Sequence, residues 1–121
     1  MTSSSPKSAR AKDGRGYQRR TPRYRTDLPL IVRVLGESGY VRVHGRCIEI
    51  SDSGLGAVTS AELTTGEIVS LELPLPGGDD MDLRAVVRHR MGFLHGFEFI
   101  RLLPAQADRL GEFCRTLTED A

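Results

Sequence analysis

The feature that most constrains this chain is a series of six short apolar or alternating segments across residues 28–102, each ended by a break rich in glycine, proline, serine or aspartate. Residues 28–35 (LPLIVRVL) are apolar and β-branched, 36–39 (GESG) form a turn, and 40–44 (YVRVH) alternate with the period of two that a half-buried strand requires. Gly45 interrupts the alternation, and the pattern resumes out of phase at 47–50, which predicts a β-bulge at the glycine. Further strands are expected at 55–59, 67–75, 83–89 and 93–102, with the loop 76–80 (PGGDD) between the fourth and fifth. After Pro104 the apolar positions Leu103, Ala107, Leu110, Cys114 and Leu117 take helical spacing, so the chain should end in an amphipathic helix that caps the sheet. The predicted fold is all-β: a small six-stranded antiparallel β-barrel, closed because closure removes exposed strand edges, with a C-terminal α-helix. At 121 residues the chain supports one core, and no internal repeat divides it.

Charge is unevenly placed. The formal net charge is +1, yet residues 1–25 carry eight basic side chains against one acid, Asp13, leaving +7 on the head and −6 on the body. Such a head should meet an anion, whether a nucleotide, a nucleic acid, an acidic surface or the body itself. Residues 1–16 (MTSSSPKSARAKDGRG) contain almost nothing that burial would reward, so they are expected to form a disordered basic tail, as are 119–121 at the other end. Between them, 17–118 reads as one domain that begins with a flexible arginine arm at 17–27. The hydrophobic share, 39%, is that of an ordinary globular protein, and no apolar run approaches the roughly 20 residues of a membrane span. Cys47 and Cys114 lie in apolar patterns without metal-ligand spacing, which reads as a reduced pair in the cytoplasm.

Two segments carry chemistry. Arg19, Arg20 and Arg23 cluster in an arm that Pro22 keeps from being regular helix, because the residue before a proline is pushed towards extended conformations. Several guanidinium groups on such an arm can wrap a compact anion through charge-assisted hydrogen bonds. The second segment, Glu49-Ile50-Ser51-Asp52-Ser53-Gly54, offers two hydroxyls, and Gly54 and Gly56 permit positive φ and close approach of a ligand to the backbone. Glu49 supplies an acceptor for the N1–H and N2–H₂ edge of a guanine.

Taken together, these segments resemble the PilZ domains, bacterial receptors for the second messenger cyclic di-GMP. That family carries an RxxxR motif in an N-terminal arm and a (D/N)xSxxG motif at a strand end. Here Arg19-Arg20-Thr21-Pro22-Arg23 matches the first, and Ser51 and Gly54 match the second. The likeness runs from about residue 17 to 117, through Asp27-Leu28-Pro29 and the late Gly96-Phe97-Glu98-Phe99. It implies a non-enzymatic receptor in which Arg19 and Arg23, helped by Arg20, clamp cyclic di-GMP. Ser51 would bond phosphate or base, Gly54 would keep the approach open, and ordering of the arm would signal to a downstream bacterial protein. Glu49 stands where the family has Asp or Asn, and this departure defines the alternative: a degenerate PilZ-like adaptor of a motility, pilus or envelope system that does not bind the nucleotide. Nucleic-acid binding by the basic head ranks below both.

Other polar residues are read as structural. His44, His89 and His95 share no metal-ligand spacing and are expected at the surface or a pocket edge. Asp79, Asp80 and Asp82 lack the pattern of a calcium loop and should form a solvated hairpin tip. Phe97 and Phe99 alternate as core residues. No nucleophile elbow or Ser/His/Asp order stands out, so no enzyme, metal or cofactor is expected.

Overall fold

A computed structural model describes residues 22–117. The expected tail at 1–16, the arm residues 17–21 with Arg19 and Arg20, and the C-terminal residues 118–121 lie outside the described residues. Six strands and one helix follow in order: β1 (Tyr24–Gly36), β2 (Gly39–Ile50), β3 (Gly54–Thr59), β4 (Ile68–Leu73), β5 (Met81–Met91), β6 (Leu94–Phe99) and α1 (Pro104–Arg115). Every pairing is antiparallel, in the order β1-β2-β3-β6-β5-β4, and β4 pairs back onto β1 through Ile31↔Glu72, Val32↔Leu71 and Arg33↔Ser70. The sheet is therefore a closed six-stranded barrel, as its alternating segments predict.

Alternation supplies the core. Leu30 and Val32 of β1, Val43 and Cys47 of β2, Val69, Leu71 and Leu73 of β4, and Phe97 and Phe99 of β6 are all buried. Each large aliphatic side chain so removed from water contributes about 1.5–3 kcal/mol. The β1–β2 hairpin closes at Gly36↔Gly39 around Glu37 and Ser38, and Gly39 has φ +113°, a conformation a Cβ would oppose. Arg33 braces the barrel seam, contacting Glu72 at 3.2 Å and Asp82 at 2.9 Å.

Four expectations change. The bulge is not at Gly45, which pairs regularly with Leu30 and Thr59; it is at Ile48, the residue left over between Cys47↔Ala57 and Glu49↔Gly56. Gly45 is glycine for a different reason, since a Cβ there would stand 2.7 Å from the Val58 carbonyl oxygen. The arm is shorter than 17–27: β1 starts at Tyr24, which pairs with Ile50, and Arg25 pairs with Glu49. In α1 the inward face is Leu110, Phe113, Cys114 and, just beyond, Leu117, whereas Leu103 and Ala107 are exposed. Leu102 packs on the core in place of Leu103.

The fourth change is His95, expected near the surface but 1% exposed. Its Nε2 accepts the Leu63 amide at 2.9 Å, while Nδ1 lies 2.9 Å from the Phe93 carbonyl oxygen and must therefore carry the proton. The ring pins the β3–β4 connection to β6. Burial lowers its pKa below the ordinary 6.5. Cys47 and Cys114 are free and buried, and burial pushes the Cys47 thiol up to about 12.

Candidate ligand-binding site

Strand register brings the second motif into contact with the arm. Extending across the barrel's outer face, Arg25 pairs with Glu49, Glu49 with Gly56, Gly56 with Gly96, and Gly96 with His89. Directly paired residues project to the same face of a sheet, so this row places two side-chain-free positions next to each other on β3 and β6. The result is a shallow trough floored by backbone. Glu49 closes one end and His89 the other. One flank is Val58 with Leu94, two residues along each strand, and the other is Gly54 with Glu98, whose carboxylate Arg88 holds.

Both end walls lean over the floor. A Cβ on Gly56 would sit 3.7 Å from Glu49 Oε1, so the carboxylate lies above that glycine. On Gly96 a Cβ would overlap the His89 ring, so the imidazole lies across the second glycine. Arg23, the last arginine of RxxxR, enters from the β1 side and donates from Nη1 to Glu49 Oε1 at 3.1 Å. Arg23 is thus seated at the trough; Arg19 and Arg20 lie outside the described residues.

The Ser51–Gly54 turn stands beside this trough and is tightly self-bonded. The Ser51 amide donates to the Gly54 carbonyl at 2.9 Å, and Ser51 Oγ accepts from the amides of Ser53 and Gly54, each at 3.2 Å. Ser51 is 6% exposed, so in this structure its hydroxyl fixes the turn's shape. The Ser53 carbonyl in turn accepts from the Phe99 amide, tying the turn to β6. Gly54 and Gly56 do not have positive φ, contrary to the sequence reading. Gly54 is required by packing, because a Cβ there would run into the Phe97 carbonyl oxygen.

A family model described as PilZ domain matches residues 17–116. The chain belongs to the PilZ domain family. PilZ domains generally bind cyclic di-GMP and serve as receptors or adaptors. The fold agrees with solved structures. The PilZ domain of YcgR from Escherichia coli with c-di-GMP superposes at a TM-score of 0.67 and 18% identity, over 84% of this chain and 92% of that one. Bacillus subtilis inhibitor of motility, MotI/DgrA, matches at 0.67 and 19%, over 83% of this chain. The PilZ domain of CeSA from a cellulose-synthesising bacterium matches at 0.60 and 18%, over 78% and 95%. This chain spans half the length of MotI/DgrA. Among curated proteins none matches the chain. No helix among the described residues is long and apolar enough to cross a membrane, and no described cluster of His, Cys, Asp and Glu has the makings of a metal site.

Two site residues escaped the sequence reading. Gly96 and His89 look there like a strand glycine and a surface histidine, because the β3–β6 register that unites their hairpin with Gly56 joins segments some 40 residues apart. The signal present in the sequence was Gly96 itself, a glycine on the outward phase of an otherwise bulky strand.

Proposed function

We propose that this PilZ domain is a receptor for cyclic di-GMP that binds the nucleotide across the Gly56/Gly96 trough. Supporting the reading above all is the meeting of the two motifs: Arg23 of RxxxR bonds to Glu49 of the second motif, directly over the backbone floor. With no side chain of its own at either position, the floor lets a flat ring approach the backbone closely, as the His89 imidazole does at Gly96. The His89 ring at one end offers a stacking surface, and Val58 with Leu94 offer an apolar flank. Arg23, with Arg19 and Arg20 from the arm, supplies phosphate and guanine contacts of the charge-assisted kind. Ser51 and Gly54 keep the turn and the β3–β6 contact in shape beside the ligand. No bond is made or broken; the output is an arm ordered against the barrel and read by a partner protein in the bacterial cytoplasm.

The measurement is calorimetric titration of the full chain with cyclic di-GMP, beside Arg23→Ala. We expect saturable binding by the wild type and a loss of about 5- to 150-fold in the variant, the equivalent of one good bidentate contact at about 1–3 kcal/mol. Absence of heat for the wild type at a hundred micromolar ligand would instead favour the second reading, a ligand-free PilZ adaptor. The observation behind that alternative is that Glu49, in place of Asp or Asn, already satisfies Arg23 internally.

A further inference from the structure

Resting on the receptor reading, we infer that Glu49 is an internal occupant of the trough, which competes with the ligand for Arg23. Its carboxylate is in the position an anionic ligand needs. It lies over Gly56, on the floor itself, and it receives Arg23 Nη1 at 3.1 Å. The Glu49 side chain is 25% exposed and that of Arg23 43%, so the pair is partly shielded and not a fully solvated surface contact. Backbone geometry holds it there: Glu49 follows the Ile48 bulge and pairs with Arg25 on one side and Gly56 on the other, so its Cβ has no freedom to swing off the row. A glutamate is also long enough to reach over the neighbouring strand, where a shorter carboxylate at the same Cβ would stop one bond sooner. Two consequences follow for a phosphate-bearing ligand. It must take Arg23 from Glu49, and it must move a like charge from the floor before a base can lie flat.

This contact gives Glu49 two separable effects, positioning Arg23 when the site is empty and opposing the ligand when it is filled. A double-mutant cycle separates them from simple charge repulsion. Wild type, Glu49→Ala, Arg23→Ala and the double variant are titrated with cyclic di-GMP at low salt, and amide hydrogen exchange of residues 23–25 is measured without ligand. Both side chains are partly exposed, so all four proteins should fold, which circular dichroism checks. We expect Glu49→Ala to tighten binding by about two- to five-fold, the range of a partly exposed ion pair. In the Arg23→Ala background that gain should shrink to the part due to the like charge alone, because no cation remains to be released. Without ligand, Glu49→Ala should speed exchange at 23–25. The inference is overturned, with the receptor reading intact, if the wild type binds and Glu49→Ala binds no tighter, or tightens equally with and without Arg23. If none of the four binds, the receptor reading falls and the inference with it.

Discussion

Nε2 of His95 accepts a backbone proton from Leu63 and Nδ1 gives one to Phe93, so the folded barrel accommodates only the neutral ring. Protonation would set N–H against N–H in a buried site. Because burial lowers the folded pKa below the ordinary 6.5, the unfolded chain takes up the proton first as the medium is acidified. The sign is then fixed: the contribution of His95 to stability is complete above about pH 6.5 and is lost as pH falls below that value. Denaturant midpoints at pH 8 and pH 5.5 should show the wild type losing stability at the lower pH, while His95→Phe shows no such slope from this site. An equal slope in both proteins would contradict the assignment. Glycines teach a related lesson at this scale. Gly54 and Gly56 stood out in the sequence as permissive of unusual φ, yet neither has positive φ, and Gly54 is needed instead to clear the Phe97 carbonyl. Residue type was visible; the neighbour that demands it lies on another strand.

Elements were legible where the pattern was local. The period-two runs gave six strands, Gly36 and Gly39 gave the first hairpin, and Pro104 gave the helix start, all from residues adjacent in sequence. Features decided by a partner strand were misplaced. Gly45 looked like the bulge because it broke the apolar alternation, but the phase changes three residues later at Ile48, where β3 has no residue to match. The inward helix face at Leu110, Cys114 and Leu117 followed from spacing, but the first turn did not: Gln106 bonds back to the Leu103 amide at 3.0 Å and across to the Asp82 carbonyl oxygen at 2.9 Å, and Leu103 is 62% exposed. The two leucines therefore differ in consequence. Leu110→Ala should cost about 2–5 kcal/mol through a buried cavity, and Leu103→Ala no more than about 0.5 kcal/mol, as read from urea unfolding of each. Comparable losses for both would restore the face read from spacing alone.

At the scale of the whole molecule, a barrel closed by β4 on β1 turns motifs distant in sequence into one surface. The order of RxxxR and the serine-glycine turn pointed to the PilZ family from sequence. The trough did not appear there, because it needs the β2–β3 and β5–β6 pairs side by side, and only the long-range β3–β6 register supplies that. Glu49, which in sequence is a departure from a motif, becomes in three dimensions the end wall of the trough and the partner of Arg23. Where the ligand sits is read by a backbone amide NMR titration of the full chain with cyclic di-GMP. We expect the largest shift changes at Arg23, Glu49, Gly56, His89 and Gly96, saturating together. Saturating changes confined to another face of the barrel, or none at any of these amides, would contradict the account.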